Sequence, residues 1–306
     1  MIDIAGLVPG ASEGRGLGNA FLSHINATDG IFQVLRAFDD EDVIHTEGDV
    51  NPVRDMEIIR TELIAKDIQH VTREIEEKNK VIQRTNDKQA KVEQALLTKV
   101  LEGFNEGKMV KDMVWSNAEI ELLNTYLFLT AKPIIYIINL SEADYIRKKN
   151  KWLAKIAKWI NENGGGTIIP ISVALEQTLS YMDEEQKAQH LHENNTTGAL
   201  DKVITTGYSA IHLIHFFTSG EDEVRCWTIR EGTVAKKAAG VIHTDFEKGF
   251  ICAEITKYTD FVELGSDAEI KANGLLKQAG KDHVIEDGDI IFFRFNAPAP
   301  SKAAKK

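Results

Sequence analysis

Three polar motifs each stand at or directly after an apolar run, where an open α/β sheet places its ligands. The first, Asp3-Ile4-Ala5-Gly6, has the pattern DxxG. The carboxylate of such an Asp can hold magnesium, and the Gly lets the chain turn against a terminal phosphate. The second is Asn139-Leu140-Ser141-Glu142, and the third is Ser172-Val173-Ala174. Each motif alone is common in structural loops, but three in this order, each at a predicted strand, indicate a nucleotide site.

The second motif indicates which base such a site would read. GTPases carry Asn-Lys-x-Asp at this place, where the Asp accepts hydrogen bonds from the N1–H and the amino group of guanine. Adenine has no N1–H, and this chain has Leu140 and Glu142 in the Lys and Asp places. The reason to prefer guanine is therefore removed. Ser172 and Ala174 stand in the place of a third loop, which lies on the base side of such sites.

Composition places the chain among globular proteins of a reducing compartment. Its 306 residues are 43% hydrophobic and 27% charged, with no apolar run of the roughly 18 residues that a membrane span needs and no secretory signal at the start. We therefore expect a cytoplasmic protein with no membrane partner. Two cysteines, Cys226 and Cys252, are too few for a disulfide scaffold, and we predict both to be small core residues. The net charge of −11 argues against nucleic-acid binding through global charge, and sequence-specific DNA is not an expected partner.

The elements that must position these motifs begin with a strand and two long helices. An apolar run over residues 31–38 predicts a strand, and Asn51-Pro52 has the residue types of a helix start. Apolar residues then recur every three or four positions in two stretches, which a polar connection over residues 79–87 separates. This pattern predicts an antiparallel helical hairpin within residues 51–125, standing in solvent.

An α/β pattern resumes after the hairpin. Residues 134–138 predict a buried parallel strand by their continuous apolar character, and residues 167–171 predict another strand. A helix is predicted between them over residues 145–161, and a helical region after them extends to about Phe217. Short alternating runs within residues 218–295 are separated by Gly and Asp turns. They predict a small α+β domain with a mixed sheet.

Longer stretches of the sequence resemble one protein family, the Obg-like ATPases, which form the YchF branch of the P-loop GTPase superfamily. The run from Asp3 to Val8, continued by Gly14-Arg15-Gly16-Leu17-Gly18-Asn19, is similar to the switch II region of that family, and residues 139–142 are similar to its base loop. The resemblance extends from residue 2 to about residue 296. Its C-terminal signature is carried by Trp227-Thr228-Ile229, Ala238-Ala239-Gly240, His243-Thr244-Asp245-Phe246 and Glu286-Asp287-Gly288-Asp289.

The resemblance implies an α/β fold of several parts. Residues 1–211 would form a Ras-like P-loop nucleotide domain, incomplete at its N-terminus, that carries the helical-hairpin insertion of residues 51–125. Residues 212–295 would form a ubiquitin-like β-grasp domain of the TGS type, followed by a disordered tail over residues 296–306. The implied activity is hydrolysis of ATP with Mg²⁺, and the implied partner besides ATP is the ribosome or ribosomal RNA.

The resemblance also implies roles for single residues. Leu7 follows the DxxG motif where Ras-type enzymes carry a Gln that orients the attacking water, so the water must be managed from elsewhere. His45 matches a family histidine on the loop after the next strand, and its acidic surroundings favour a protonated imidazole able to stabilise phosphoryl charge. An ordinary loop histidine is the alternative. The implied site comprises His45 for catalysis, Asp3 for the metal, and Gly6, Asn139, Leu140, Glu142, Ser172 and Ala174 for the nucleotide.

One motif of the family is missing from these residues. Family members carry GxxxxGK[ST] and a switch I threonine ahead of the DxxG, and no GxxxxGK[ST] occurs in this chain. That loop supplies backbone N–H groups, a phosphate lysine and a magnesium ligand. Either the sequence is a truncated record of a complete ATPase or the gene itself is shortened. Two functions stay open: an ATP hydrolase that depends on a segment outside these residues, and a nucleotide-independent module that binds ribosomes or RNA through the C-terminal domain and the helical arm.

Overall fold

The computed structural model describes residues 1–3, 25, 27–45, 48–220 and 223–296. Within it the chain divides into an N-terminal unit, Met1–Gly207, and a C-terminal unit, Tyr208–Lys306. The sequence predicts a domain boundary four residues later, between residues 211 and 212. Gly6, the glycine-rich loop that follows it and the predicted tail after Asn296 lie outside the described residues.

The N-terminal unit contains a three-stranded parallel sheet in the order β1-β2-β3. Strand β2 is a run of branched aliphatic residues and a tyrosine, and its first five side chains are buried, as its continuous apolar character predicts. Strand β1 forms one edge of this sheet among the described strands, and its Val34 side chain is 61% exposed. The strands are β1 (Ile31–Arg36), β2 (Ile134–Asn139) and β3 (Thr167–Ile171).

Eight helices are described around this sheet, the last of them ending in the C-terminal unit. Two short 3₁₀ turns, Val110–Asp112 and Leu129–Ala131, also lie between β1 and β2. No helix of the described part of the chain is long and apolar enough to cross a membrane. The helices are α1 (Pro52–Thr85), α2 (Lys88–Asn105), α3 (Asn117–Tyr126), α4 (Glu142–Arg147), α5 (Leu153–Glu162), α6 (Val173–Ser180), α7 (Glu184–Glu193) and α8 (Leu200–Ala210).

Helices α1 and α2 pack against each other, and only Asn86 and Asp87 connect them. Asn86 ends α1 in the left-handed conformation at φ 52°, and the carboxylate of Asp87 accepts the N–H of Ala90 at 2.8 Å to begin α2. The predicted polar connection over residues 79–87 is therefore wrong in extent. Residues 79–85 contain neither Gly nor Pro, and three of the seven (Lys80, Gln83 and Arg84) have good helix propensity, so α1 continues through them in solvent.

The predicted single helix over residues 145–161 is also wrong, because the chain forms α4 and α5 instead. Lys148 takes the left-handed conformation at φ 54°, and its N–H returns to α4. The carboxamide oxygen of Asn150 then accepts the N–H of Trp152 at 2.8 Å, which supports the backbone just ahead of α5. A local side-chain hydrogen bond thus competes with a continuous helix at this point.

The core of the N-terminal unit joins the sheet to the helical pair. Leu63 and Val71 of α1 and Leu97 and Val100 of α2 are each 0% exposed, and they belong to the same apolar cluster as Ile138 of β2. Burial of these side chains is the main stabilising contribution to the helical pair, at roughly 1.5–3 kcal/mol for each fully buried large aliphatic residue. The helices are therefore fixed on the sheet at their base.

The C-terminal unit contains a five-stranded mixed sheet in the order β5-β4-β8-β6-β7. Strands β4 and β8 pair in parallel, whereas the other pairs are antiparallel. Helices α9 and α10 pack against the sheet, and Ala235, Ala238 and Ala239 of α9 are fully buried there. The elements are β4 (Leu213–Ser219), β5 (Val224–Arg230), α9 (Ala235–Ile242), α10 (Thr244–Lys248), β6 (Phe250–Lys257), α11 (Tyr258–Leu264), α12 (Asp267–Ala272), β7 (Lys277–Ala279) and β8 (Asp289–Phe295).

Two predictions for this region are wrong. The helical region predicted to reach Phe217 ends with α8 at Ala210, and Phe217 lies in β4. The sequence predicts both cysteines to be core residues, but Cys226 is exposed and Cys252 is half-buried. Side chains alternate along a strand, so burial of Ile229, three positions from Cys226 in β5, and of Ala253, next to Cys252 in β6, turns both cysteines to the opposite face.

Candidate functional site

The carboxyl ends of the three parallel strands lie side by side, because Arg36 of β1, Asn139 of β2 and Ile171 of β3 are in register. The carboxamide oxygen of Asn139 accepts the N–H of Val173 at 3.1 Å. In the other direction, the N–H of Leu140 donates to the carbonyl of Ile171 at 2.8 Å. These two bonds fix the loop after β2 against the loop after β3, so the second and third motifs form one surface.

The residues of the second motif have distinct surroundings. Leu140 is 3% exposed and packs in the core, so a nucleotide could reach only its backbone, and its N–H is already bonded. Ser141 begins α4 by accepting the N–H of Asp144 at 3.2 Å. Glu142 is the first residue of α4 and is half-buried. Of the two residues that replace the guanine-reading pair, only Glu142 therefore has a side chain in reach of a base.

The third motif is the start of α6. Ser172 is fully buried, and its hydroxyl accepts the N–H of Leu175 at 3.4 Å as the helix cap. Ala174, in the first turn, is exposed. A contact from this motif to a base would thus come from backbone atoms near Ala174, because the Ser172 side chain is used within the fold.

A cleft of about 650 Å³ opens beside the second motif, in the size range of small-ligand sites. It shares Ser141 with that motif, but none of the residues predicted for the site lines it. Three cationic side chains, one aromatic ring, one carboxamide and two carboxylates contribute to its walls. The lining residues are Ala37, Phe38, Asp39, Ser141, Asp144, Arg147, Lys149, Asn150 and Lys151.

Arg36 organises the side of this cleft that follows β1. Its guanidinium donates to the carbonyls of Val43 at 2.7 Å and Asp40 at 2.9 Å, and its Nε donates to the carbonyl of Phe38 at 3.2 Å. The guanidinium carbon also lies 5.0 Å from the centre of the Phe38 ring. The sequence interpretation missed both residues. The signal available was their place at the carboxyl end of the strand that neighbours β2 in a parallel sheet.

Asn150 closes the opposite side of the cleft. Its carboxamide nitrogen donates to the carbonyl of Ala37 at 2.9 Å and to the carboxylate of Asp144 at 2.7 Å. The hydrogen bond from Asn150, followed by that from Arg147, holds the pKa of Asp144 below its ordinary value. Lys151 pairs with Asp39 at 2.6 Å. The two carboxylates in the cleft wall therefore both have partners within the fold.

His45 lies on the segment that leads from β1 to α1, and its side chain is 15% exposed. Its Nε2 is 3.2 Å from the carboxylate of Asp55, in the first turn of α1. The N–H of Gly48 returns to the carbonyl of His45 at 3.0 Å. The imidazole thus has a defined place against the start of α1, in contrast to a histidine on a freely exposed loop.

The predicted metal residue, Asp3, is exposed, and its partner in the motif, Gly6, lies outside the described residues. Within the described residues no group of three or more His, Cys, Asp or Glu side chains could hold a metal ion. Magnesium in phosphoryl-transfer sites is bound by one or two protein carboxylates together with substrate phosphates and water. A single exposed aspartate fits a magnesium ion that enters with the nucleotide.

The sequence is similar to curated proteins over nearly its whole length. It is 55% identical over 305 residues to Obg-like ATPase 1 of Caenorhabditis elegans, which covers 99% of this chain and 77% of that protein. It is 52% identical over 305 residues to Obg-like ATPase 1 of Homo sapiens, with the same coverage of 99% and 77%. The family YchF-GTPase_C, described as a protein of unknown function (DUF933), matches residues 213–296.

Two solved structures are also similar to this chain over most of its length. The structure of the Schizosaccharomyces pombe YchF GTPase superposes with a TM-score of 0.85 at 48% sequence identity, over 91% of this chain and 75% of that chain. A GTP-binding protein from Pyrococcus horikoshii OT3 shares the fold, with a TM-score of 0.57 at 16% identity over 90% of this chain and 81% of that one. The similarity therefore extends through both units.

Proposed function

The chain belongs to the Obg-like ATPase (YchF) family, and we propose that it binds and hydrolyses ATP in preference to GTP. The observation that carries the preference is the motif after β2. Glu142 stands half-buried in the place of the guanine-reading Asp, and Leu140, in the Lys place, is buried in the core. The arrangement offers no Asp–Lys pair for guanine. The neighbouring cleft, with Phe38 and three cations, supports a ligand that has a flat ring and anionic groups.

We propose that the N-terminal unit is a Ras-like P-loop nucleotide domain with an antiparallel helical-hairpin insertion over residues 51–125. Its parallel sheet and the packing of α1 on α2 support this assignment. For residues 212–295 we propose a β-grasp domain of the TGS type. The support is the mixed sheet, in which the first and last strands of the unit, β4 and β8, pair in parallel.

The proposed reaction assigns separate tasks to three parts of the chain. Asp3 would hold a magnesium ion that supplies charge stabilisation at the phosphates when it is bound. The loops after β2 and β3, including Glu142 and Ala174, would orient the base, and Gly6 would turn the chain against the terminal phosphate. His45 would stabilise phosphoryl charge or move a proton of the attacking water, since Leu7 cannot orient water by hydrogen bonding.

Calorimetry tests the proposed nucleotide preference. The 306-residue chain contains no GxxxxGK[ST], so we expect it to bind ATP weakly and to show no measurable turnover. The same chain extended by the phosphate-loop segment of the Caenorhabditis elegans relative should bind ATP at least about tenfold more tightly than GTP, since one base-specific pair of hydrogen bonds contributes about 1–3 kcal/mol. Glu142→Asp should reduce that ratio. Equal affinity for ATP and GTP in the extended protein would refute the preference.

A nucleotide-independent function is the second proposal, and the exposed outer part of the α1–α2 pair, over residues 79–89, supports it. The C-terminal unit and the long solvated pair α1–α2 would then bind ribosomes or ribosomal RNA in the cytoplasm, with no membrane or sequence-specific DNA partner. The 306-residue chain should in that case sediment with ribosomes to the same extent with and without ATP. Loss of sedimentation on addition of nucleotide, or no sedimentation at all, would reject this second function.

A further inference from the structure

The side chains of His45 and Asp55 form a short and partly buried contact. The distance between Nε2 and the carboxylate oxygen Oδ2 is 3.2 Å, and the two side chains are only 15% and 20% exposed. Both groups are therefore partly withdrawn from water, where a hydrogen bond to a charged group is worth more than on the open surface. The pair joins the segment after β1 to the first turn of α1.

The start of α1 holds the carboxylate of Asp55 in place. Asn51 caps the helix by accepting the N–H of Arg54 at 3.2 Å, and the N–H of Asp55 donates to the carbonyl of Asn51 at 3.1 Å. The partial positive charge at a helix N-terminus favours an ionised carboxylate in this turn. Arg54 adds its Nε 3.8 Å from the second carboxylate oxygen of Asp55, while its guanidinium is anchored to Asp49 at 2.6 Å.

We propose that Asp55 is the positioning residue for His45. By accepting the hydrogen bond of Nε2–H, the carboxylate fixes the neutral imidazole in the Nε2–H tautomer, so that the basic lone pair lies on Nδ1. In the protonated ring, the same bond directs Nδ1–H away from Asp55 as a second donor. This inference rests on the proposed role of His45 in hydrolysis, and it assigns that role to Nδ1 of the ring. Asp55 does not itself touch the reacting groups.

A purely structural explanation is that the pair only anchors the loop to the helix. A structural anchor would require the same Nε2–H tautomer, because an ionised carboxylate can only accept a hydrogen bond. The two explanations therefore differ in turnover. In the chain extended by the phosphate-loop segment, a positioning role predicts that Asp55→Ala lowers kcat at least about tenfold with ATP affinity within about twofold of wild type, and that Asp55→Glu, which keeps the acceptor, retains most of kcat. An anchor alone would leave kcat unchanged. The tautomer is measured separately, in the 306-residue chain without any turnover. Failure of this measurement is distinct from failure of the proposed ATP hydrolysis.

The test is long-range ¹H–¹⁵N NMR on the 306-residue chain with ¹⁵N-labelled histidine, at a pH where the imidazoles are neutral. The chain has nine histidines, and His45→Gln assigns the signals of His45 by their disappearance. We expect the Nε2–H tautomer of His45 in at least about tenfold excess, as a hydrogen bond to a charged acceptor of about 1.5 kcal/mol or more produces. Asp55→Ala should reduce that excess to the smaller Nε2–H preference of a histidine without a carboxylate partner.

Glu74→Ala is the matched control, because it removes the carboxylate 3.5 Å from Nε2 of His70 on the same helix. It should leave the tautomer of His45 unchanged. A wild-type His45 that carries its proton on Nδ1 would overturn the proposal, whether or not the Asp55 variant folds. A folded Asp55→Ala chain with the tautomer ratio unchanged would overturn it equally.

Discussion

The carboxylate of Asp67, on α1, accepts two hydrogen bonds from Thr130, one from its backbone N–H at 2.8 Å and one from its hydroxyl at 2.7 Å. A third bond comes from the N–H of Leu129 at 3.1 Å. The turn that donates these bonds directly precedes β2, the strand that ends at the base loop. Helix α1 is thus bonded at Asp55 to the His45 segment and at Asp67 to the approach of β2, so it connects two parts of the proposed site.

We predict that Asp67→Asn lowers the free energy of unfolding of the chain by about 1–3 kcal/mol, because an amide cannot accept all three bonds and buried donors lose a partner. Asp67 is only 2% exposed, so water cannot replace the lost bonds. Urea unfolding at neutral pH measures the change. The control is Glu77→Gln, an exposed carboxylate on the same helix. Equal effects of the two substitutions would contradict the assigned role.

Asp67 also predicts a pH dependence of stability. Burial raises the pKa of Asp67 above its ordinary value of 3.8, and the bonds from Thr130 and Leu129 only partly oppose the rise. The folded state then binds a proton more readily than the unfolded state, so this contribution is fully present below pH 3.8 and is lost as the pH rises through the raised pKa. Asp67→Asn should remove that part of the pH dependence. A wild-type and a variant curve that stay parallel across this range would disprove it.

The sequence predicts those elements whose local pattern and tertiary surroundings agree. Strand β3 has the predicted bounds, residues 167–171. Strand β2 differs from its prediction by one residue, because a continuous apolar run is what a strand buried on both faces requires. The break between α4 and α5 could not be predicted in this way. It depends on a single left-handed residue, Lys148, whose type carries no such signal.

Glu93 gives a third prediction, which concerns the helical pair. Glu93 on α2 pairs with Lys78 on α1 and accepts the hydroxyl of Tyr126 at 2.9 Å. The hydrogen bond from Lys78 lowers the pKa of Glu93 from its ordinary value of 4.5. The resulting stability is present above pH 4.5 and is lost as the pH falls through the lowered pKa.

Glu93→Gln should therefore cost about 0.5–1.5 kcal/mol at neutral pH and almost nothing once the wild-type carboxylate is protonated. Urea unfolding at the two pH values measures both numbers. Glu102→Gln, at an exposed position of α2, serves as the control and should have little effect. A cost for Glu93→Gln that is independent of pH would show that the side chain acts by packing alone.

His45→Ala provides the fourth prediction and tests the catalytic assignment. In the chain extended by the phosphate-loop segment, the variant should bind ATP within about twofold of wild type but lose at least about tenfold in kcat, as loss of an acid–base or charge-stabilising group does. His70→Ala, a second paired histidine on the helical side, is the control. Unchanged turnover in His45→Ala would leave the histidine a structural role only.

The candidate site was predictable to the extent that short motifs follow strands. Motif spacing placed Asn139, Glu142 and Ala174 at one edge of the sheet, and the register of β2 and β3 brings their loops together there. It gave no sign that Leu140 packs in the core or that Arg36 arranges the loop carrying Phe38. Those properties depend on contacts between segments distant in sequence, which a single sequence does not encode in a local pattern.

The C-terminal unit gives the last prediction: residues 208–296 should fold as an isolated fragment. The unit has its own apolar cluster, which includes Phe216, Ile229 and Phe293, and all five strands of its sheet belong to the unit itself. A chain of this size can support one core without metals or disulfides. The fragment should give a dispersed NMR spectrum and a single cooperative melting transition.

Two phenylalanines of the sheet make this prediction specific. Phe216 is 0% exposed and lies 5.8 Å from Phe293 between ring centres, whereas Phe292 is 58% exposed on the opposite face of β8. Phe216→Ala should cost about 3–5 kcal/mol, enough to unfold much of a small domain, and Phe292→Ala should cost less than about 1 kcal/mol. Chemical unfolding of both variants measures the two changes in free energy of unfolding. An unfolded wild-type fragment, or similar costs for the two substitutions, would mean that the core of this unit depends on the rest of the chain.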